Sequence, residues 1–312
     1  HGGVFVLRIE DTDKERFVPG ATDGLIKVLK DLGVSPDEGP AEGGNYGPYV
    51  QSERLEKYKT TVNELIKNSS AYYCFCLPER LEKLRAEQQA NMQNTKYDKF
   101  CFSPSIQRGA ALRIAEGDRY VIRLNVPDAG VVEFDDKIRG KIIFPVSEID
   151  DQVLLKSDGF PTYHLASVVD DHEMQISHVI RGDEWIASTP KHVLLYKAFG
   201  WTPPIFAHLP LIFNSDHTKL SKRQGDVSVE SYLTKGYLPK ALVNFMALMG
   251  WNPSASQEIF EIEELISKFE IKKINKGGAI LNKEKLDWIN HEYIMKMESG
   301  AFFDASAPFL EQ

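Results

Sequence analysis

The chain is short of cysteine, of long apolar runs and of positive charge, and each shortage excludes a class of protein. Its 312 residues contain only three cysteines, an odd number too small for a disulfide framework. We therefore expect a reducing compartment, the cytoplasm or the mitochondrial matrix. The longest apolar runs, such as residues 142–146, are far shorter than the roughly 18 residues that cross a bilayer, so we expect no membrane span. The formal net charge of −8 argues against a protein that coats nucleic acid by bulk electrostatics.

The remaining composition is typical of a folded protein of about two domains. Residues are 42% hydrophobic and 26% charged, which is sufficient for a sizeable core. Helical spacing of apolar residues predicts helices over residues 21–32, 52–67, 78–91, 191–199, 239–249 and 262–269. Gly33 and Gly200 stop the first and the fourth of these. Residues 35–49, rich in Pro, Gly and Glu, predict a surface loop.

Residues 4–9 form a short apolar run that leads directly into Glu10, Asp11 and Asp13. This pattern predicts a buried strand with carboxylates at its C-terminal end, where open α/β sheets bind their ligands. Residues 72–150 contain mixed helical and alternating patterns, and we interpret them as an insertion between two halves of a nucleotide-binding sheet. Beyond Arg223, the helical patterns predict an all-α appendage.

The segment Lys219-Leu220-Ser221-Lys222-Arg223 carries three cations in five residues. Two lysines three residues apart on a loop can contact the phosphates of ATP, and they can stabilise charge on departing pyrophosphate. A solvated basic loop is the alternative, because so short a motif also occurs by chance.

Five segments, in order, resemble the sequence blocks of the glutamyl-tRNA synthetases, a family of class I aminoacyl-tRNA synthetases. They are RIEDTD at residues 8–13, SDGFPTYHLA at 157–166, VDDH at 169–172, HVIRGDEW at 178–185 and KLSKR at 219–223. The last is similar to the KMSKS signature of class I enzymes. The resemblance extends over nearly the whole chain.

The resemblance implies an α/β fold with a Rossmann-like parallel-sheet catalytic domain in two halves, residues 1–71 and 151–225. An inserted α+β acceptor-end-binding subdomain would occupy residues 72–150, and a helical stem-contact segment residues 226–312. The family's first signature, HIGH, would precede the chain, and its anticodon-binding domain would follow it. We therefore expect an incomplete chain that is inactive in isolation.

The resemblance also implies that Arg8, Glu10, Tyr163, Ser167 and Arg181 bind the substrate glutamate. Arg181 can hold the side-chain carboxylate bidentately with help from Tyr163, and Glu10 would meet the ammonium group. Ser167 stands where many bacterial members carry Asn, and its hydroxyl reaches less far. Structural roles remain open: a helix-terminal acid for Glu10, core packing for Tyr163 and a surface ion pair for Arg181.

The ATP-binding residues that the resemblance implies are Glu184, Trp185, Ile212, Lys219, Ser221, Lys222 and Arg223. Glu184 would bind the ribose hydroxyls and Trp185 would pack on adenine, while Ile212 would offer backbone contacts. Lys219 and Lys222 would be the catalytic cations, acting on ATP with Mg²⁺.

All three cysteines lie within 28 residues, and the Cys-x-Cys pair with a distant third is a spacing compatible with zinc. Cys74, Cys76, Tyr97 and Cys101 are similar to the ligand set of zinc-binding bacterial members of the family. The zinc would be structural. Buried free thiols are the alternative, because ligation needs a geometry that sequence cannot supply.

The implied activity is ligation of L-glutamate to tRNA(Glu) with ATP, by a monomer. Two alternatives stay open. One is a paralogue that activates glutamate but attaches it to queuosine on tRNA(Asp). The other is a non-catalytic tRNA-binding protein, which a natural start at His1 would favour.

Overall fold

Helices packed against small sheets make up the chain, and the computed structural model describes residues 2–16, 18–214, 216–218, 220, 228–251 and 257–310. Within these ranges the α-helices are α1 (Ala21–Asp31), α2 (Leu55–Lys67), α3 (Pro78–Ala90), α4 (Pro104–Ala115), α5 (Tyr163–Glu173), α6 (Thr189–Phe199), α7 (Val229–Thr234), α8 (Pro239–Leu248), α9 (Ile262–Lys268), α10 (Lys283–Met295) and α11 (Ser299–Leu310). The strands are β1 (Ala71–Cys74), β2 (Val121–Leu124), β3 (Val131–Asp136), β4 (Gly140–Pro145), β5 (Val153–Leu155), β6 (His178–Gly182), β7 (Ile205–Leu209), β8 (Ile212–Phe213) and β9 (Ala279–Ile280). In these ranges, no helix has both the length and the apolar composition of a membrane span.

The central sheet has four strands in the order β4-β3-β7-β6. β3 and β4 form an antiparallel hairpin, whereas β3, β7 and β6 run parallel. The register places Arg181 of β6 opposite His208 of β7, and Asp136 at the end of β3 opposite Phe206. Because parallel strands end at the same sheet edge, polar side chains from three strands converge there.

The main core lies between helices α2, α5 and α6 and an antiparallel sheet of order β1-β2-β5. Its fully buried members include Tyr58, Leu65, Leu154, Leu165 and Leu195. Each such leucine contributes about 1.5–3 kcal/mol relative to an exposed one. This core fixes α5 and α6, the two helices that flank the polar edge of the central sheet.

The six predicted helices are confirmed, with ends that differ by a few residues. Gly33 and Gly200, predicted to stop helices, both have left-handed backbones with φ of 71°. Gly200 is the residue that caps α6. The loop predicted over residues 35–49 is also confirmed, since it holds only isolated bridges.

The strand predicted over residues 4–9 is wrong. That segment makes only two isolated parallel bridges, Val6 with Glu38 and Ile9 with Val50. Val4 and Phe5 are 62% and 42% exposed. An apolar run becomes a strand only when a neighbouring strand offers a continuous ladder, and here its described partners are loop residues on one side.

The prediction of an all-α segment beyond Arg223 is also wrong in one respect. The two-residue strand β9 pairs in parallel with β8, joining Ala279 to Ile212 and Ile280 to Phe213. So short a strand has no periodicity of its own, and its pairing depends on a partner far away in the sequence.

A buried ion pair ties α2 to α5. The side chains of Arg54 and Asp170 are both fully buried, and Arg54 Nε donates to Asp170 Oδ1 at 2.7 Å. Gln51 Nε2 and Tyr58 Oη donate to the other carboxylate oxygen at 2.8 and 2.7 Å. Arg54 also pairs with Glu173 at 2.6 Å. Removing Asp170 would take the acceptor from Arg54 Nε, Gln51 and Tyr58 at once, and it would leave the partly exposed Glu173 as the acid paired with Arg54.

We predict that Asp170→Ala lowers the free energy of unfolding by about 3–5 kcal/mol, because Arg54 loses its buried partner and two more buried donors lose their acceptor. The matched control is Asp31→Ala, which breaks the exposed pair with Lys27 and should cost less than about 1 kcal/mol. Urea denaturation of both variants measures the difference. Equal losses would contradict a specific role for the buried pair.

Candidate active site

A cavity of about 820 Å³ opens beside strand β6 and helix α5. Its wall brings together all five residues predicted to bind glutamate, namely Arg8, Glu10, Tyr163, Ser167 and Arg181. They come from three separate parts of the chain: the N-terminal segment, α5 and β6. The cavity is therefore a place where one small ligand can contact all of them.

Arg181 is a partly buried guanidinium surrounded by neutral groups. Its Nε donates to His208 Nε2 at 3.1 Å, its Nη1 to Tyr163 Oη at 3.0 Å and its Nη2 to Thr189 Oγ1 at 2.7 Å. Among the residues that the structure describes, no carboxylate lies within ion-pair distance of it. Its charge is therefore available to an anionic ligand, and guanidinium binds carboxylate strongly.

Arg8, in contrast, is already neutralised. Its Nη1 donates to Asp171 Oδ1 at 2.8 Å and its Nη2 to Glu10 Oε1 at 3.0 Å, and its Nε lies 3.8 Å from Asp170 Oδ2. Ser167 is buried, and its hydroxyl lies 3.5 Å from Asp171. In this arrangement the guanidinium of Arg8 orients the Glu10 carboxylate more readily than it attracts a second anion.

Glu10 and Tyr163 also line a neighbouring cavity of about 770 Å³, together with Trp185. The rings of Tyr163 and Trp185 lie 4.5 Å apart, tilted by 44°. Trp185 is 37% exposed, so part of its ring remains open to a ligand. The two cavities are thus adjacent, and they share Glu10 and Tyr163 as lining residues.

The other predicted ATP-binding residues are spread along the chain. Glu184 lies in a short 3-10 helix after β6, Asp183–Ser188. Ile212, in β8, lines a separate apolar cavity of about 230 Å³. The structure does not bring Ile212 into either of the larger cavities. Lys219, Ser221, Lys222 and Arg223 lie outside the described residues.

Three histidines lie near Arg181: His192 and His208 are buried and contact it, and His164 is partly buried behind His192. His164 Nδ1 lies 3.1 Å from His192 Nε2, and His192 Nδ1 lies 3.5 Å from the guanidinium. Burial, with the nearby charges of Lys191 and Arg181, lowers the pKa of His164 to about 4. Burial also lowers the pKa of His192 and of His208. The three imidazoles are neutral at pH 7, so they add no charge next to Arg181.

The sequence-based prediction missed the residues that hold Arg181 in place. They are Asp136, Thr189, His192 and His208, all buried. One signal was present: a histidine inside the apolar strand Ile205–Leu209 is unusual unless its ring has polar partners. The partner's identity depends on sheet register, which the local pattern does not reveal.

The three cysteines form a compact cluster in the segment predicted as an insertion. Their sulfur atoms all lie within 4.8 Å of one another, and those of Cys76 and Cys101 are 3.5 Å apart. Tyr97 Oη lies 3.2 Å from Cys76 Sγ and 3.4 Å from Cys74 Sγ. Tetrahedral zinc with Zn–S bonds near 2.3 Å separates its sulfur ligands by roughly 3.8 Å. The three thiols and the phenol therefore fit one zinc ion.

We predict that acid destabilises the fold partly through His164. Its pKa of about 4 in the folded chain lies below the unfolded value of about 6.5. Between these values the unfolded chain binds a proton that the folded chain does not, so stability falls as pH falls. In urea titrations, the free energy of unfolding of His164→Gln should fall by about 1.4 kcal/mol less per pH unit than that of the wild type across this window. If the stability of the two proteins changed with pH in the same way, His164 would not be the group responsible.

Comparison with known proteins identifies the family of the chain. Residues 1–288 match the family described as tRNA synthetases class I (E and Q), catalytic domain. The chain is 52% identical to a glutamate–tRNA ligase of Chloroherpeton thalassium over 94% of this chain and 60% of the relative. It is 47% identical to one of Clostridioides difficile over 99% of this chain and 64% of the relative. It thus spans less than two thirds of the length of these relatives.

A solved structure leads to the same family. The crystal structure of a glutamate–tRNA ligase from Elizabethkingia meningosepticum, in complex with its amino acid, has a TM-score of 0.92 at 39% identity. The aligned region covers 99% of this chain and 66% of the chain in that crystal structure. The fold is accordingly the Rossmann-like α/β fold of class I synthetases. The chain belongs to the class I tRNA synthetases for glutamate and glutamine, in which it is most like the glutamate–tRNA ligases.

Proposed function

We propose that this chain is the catalytic part of a glutamate–tRNA ligase, which activates L-glutamate with ATP and transfers it to tRNA(Glu). The observation that carries the proposal is Arg181: a partly buried guanidinium with neutral hydrogen-bond partners, in a cavity that also holds Glu10. A cation and an acid in one cavity match the charges of an amino acid with an acidic side chain. The similarity to glutamate–tRNA ligases supports the same substrate.

The reaction has two steps. The α-carboxylate of glutamate attacks the α-phosphorus of Mg-ATP, giving glutamyl-adenylate and releasing pyrophosphate. A ribose hydroxyl of the tRNA's terminal adenosine then attacks the glutamyl carbonyl, forms the ester and releases AMP. Neither step needs a nucleophilic side chain, so the protein acts by alignment and charge stabilisation.

In this proposal three of the cavity residues bind glutamate and two support them. Arg181 holds the side-chain carboxylate of glutamate. Tyr163, which already accepts a hydrogen bond from Arg181, donates a hydrogen bond from its hydroxyl to that carboxylate. Glu10 pairs with the ammonium group, oriented by Arg8. Ser167 lies on the cavity wall and supports Asp171 rather than contacting the ligand.

ATP would occupy the neighbouring cavity. Trp185, on its wall, would pack against adenine, and Glu184 would bind the ribose. Ile212, which lines a separate cavity, has no role in this proposal. Lys219 and Lys222, with Ser221 and Arg223, would meet the phosphates, whose charge Mg²⁺ shares. Lysine suits this task because it presents a compact charge on a flexible stem.

The wider organisation follows the same proposal. Residues 72–150 would bind the acceptor end of tRNA, residues 1–71 and 151–225 would form the catalytic domain, and residues 226–312 would contact the tRNA stem. We propose a monomer that acts in the cytoplasm or in the mitochondrial matrix; the bacterial origin of the similar ligases above supports the cytoplasm.

We further propose that Cys74, Cys76, Cys101 and Tyr97 hold one structural zinc ion. The support is the fit of donor types and spacing. Three thiols and a phenol lie together, mostly buried, with Tyr97 Oη 3.2 and 3.4 Å from the sulfur atoms of Cys76 and Cys74, and with the sulfur atoms of Cys76 and Cys101 3.5 Å apart. Bound zinc would cross-link β1 to the segment after α3 and so stabilise the insertion.

The function is tested by charging an unmodified tRNA(Glu) transcript with glutamate, using the full-length gene product. Arg181→Lys keeps the charge but loses the planar fork, so we predict that the KM for glutamate rises about tenfold or more. Arg181→Ala should raise it by roughly a hundredfold or more. The KM for ATP serves as the internal control and should stay within about twofold, because uniform damage would move both constants.

A wild-type protein that charges only queuosine-containing tRNA(Asp) would contradict the proposed ligase. An Arg181→Ala variant with an unchanged KM for glutamate would contradict the assignment of Arg181.

The zinc proposal predicts about one zinc per chain by elemental analysis of protein purified without chelator. Cys101→Ser should lose most of that metal and lower the melting temperature, because the site stabilises only the folded chain. The matched control, Ser105→Ala on the exposed surface of α4, should keep its zinc. A metal-free wild-type protein would contradict the proposal.

A further inference from the structure

The hydrogen bonds behind Arg181 continue into the central sheet. His208 is fully buried in β7, and Asp136 at the end of β3 is 4% exposed. His208 Nδ1 lies 2.6 Å from Asp136 Oδ2, while His208 Nε2 accepts from Arg181 Nε at 3.1 Å. The chain of contacts therefore runs from a buried carboxylate through an imidazole to the guanidinium that faces the cavity.

Asp136 sets the tautomer of His208. Its Oδ1 accepts from the backbone N–H groups of Ile138 and Arg139 at 2.9 and 2.8 Å, and its Oδ2 accepts from His208 N at 3.0 Å. A carboxylate only accepts hydrogen bonds, so the imidazole proton must be on Nδ1. The lone pair is then on Nε2, which faces Arg181. The other tautomer would direct an N–H group at the Nε–H of Arg181.

This arrangement orients Arg181 without neutralising it. A carboxylate in the place of His208 would orient the guanidinium equally well, but it would cancel the charge, as Asp171 and Glu10 do for Arg8. The neutral imidazole of His208 lies between the buried carboxylate of Asp136 and Arg181, so the two charged groups are not in contact. Thr189 provides a second neutral acceptor at 2.7 Å.

We propose that His208, in the tautomer set by Asp136, is a positioning residue that holds Arg181 toward the cavity while leaving its charge for the ligand. The inference rests on the proposed function, in which Arg181 binds the side-chain carboxylate of glutamate. His208 itself touches no substrate. It determines specificity indirectly, because an uncompensated guanidinium favours a carboxylate over the uncharged amide of glutamine.

The test compares two amides at position 208 in the full-length gene product. A Gln amide reaches about as far from the backbone as imidazole Nε2, so His208→Gln retains an acceptor for Arg181. An Asn amide reaches only as far as Nδ1, so His208→Asn leaves Arg181 Nε without that acceptor. Charging of an unmodified tRNA(Glu) transcript gives the KM for glutamate and for ATP and kcat, and thermal melting reports folding.

We expect His208→Asn to raise the KM for glutamate about tenfold, with the KM for ATP within about twofold, because a hydrogen bond to a charged group is lost. His208→Gln should restore most of this loss although both variants alter the core. Thr189→Val, which keeps the shape of the side chain but removes its acceptor, should also raise the KM for glutamate selectively. If His208→Asn does not fold, His208→Gln and Thr189→Val still report whether Arg181 needs its neutral acceptors.

Three results would overturn the inference. Variants with wild-type KM for glutamate would show that Arg181 needs no support from β7. Equal loss for glutamate and ATP, without rescue by Gln, would show that His208 is only part of the core. A wild-type protein that fails to charge tRNA(Glu) would overturn the proposed function and this inference with it. That failure is seen without any variant, so it can be told apart from a failure of the inference alone.

Discussion

A guanidinium binds a carboxylate ligand most strongly when the protein leaves its charge uncompensated, and this constraint organises the site. The three arginines next to α5 and β6, Arg8, Arg54 and Arg181, differ in their partners. Arg54 and Arg8 are paired with acids on α5, and they tie the start of α2 and the N-terminal segment to that helix. Arg181 contacts only neutral groups among the described residues. The first two are part of the architecture, and the third is available for binding.

The sheet register produces this difference. Arg181 and His208 are direct neighbours on parallel strands, and Asp136 ends the next strand in the sheet. Desolvation of the imidazoles keeps them neutral, and their neutrality in turn preserves the charge on Arg181. A buried cation without a partner is unfavourable in the empty protein. That energetic cost is recovered when a carboxylate enters, so the site gains affinity for one sign of charge.

Much of the fold could be predicted because its signals are local. The helices α1 and α6 follow from apolar spacing and from the glycine after each of them, since these depend on residues a few positions apart. Strands were harder. Residues 4–9 have the composition of a strand but lack a continuous partner, and β9 has a partner but almost no pattern. In both cases pairing is decided by distant parts of the chain.

The site was predictable to the extent that its residues lie in recognisable sequence blocks, as Arg181 and Tyr163 do. Asp136 and His208 were not, because their contact joins residues 72 positions apart. Nor could the sequence tell Arg8 from Arg181. Both are arginines beside apolar strands or segments, and only the tertiary contacts show that one is neutralised and the other is not.

The central claim is that Arg181 receives the side-chain carboxylate of glutamate. A crystal structure of the full-length protein with L-glutamate tests it most directly. The account predicts that the side-chain carboxylate contacts Arg181 and Tyr163 while the ammonium group contacts Glu10. A glutamate bound with its side-chain carboxylate on Arg8, and with the contacts of Arg181 unchanged, would contradict it.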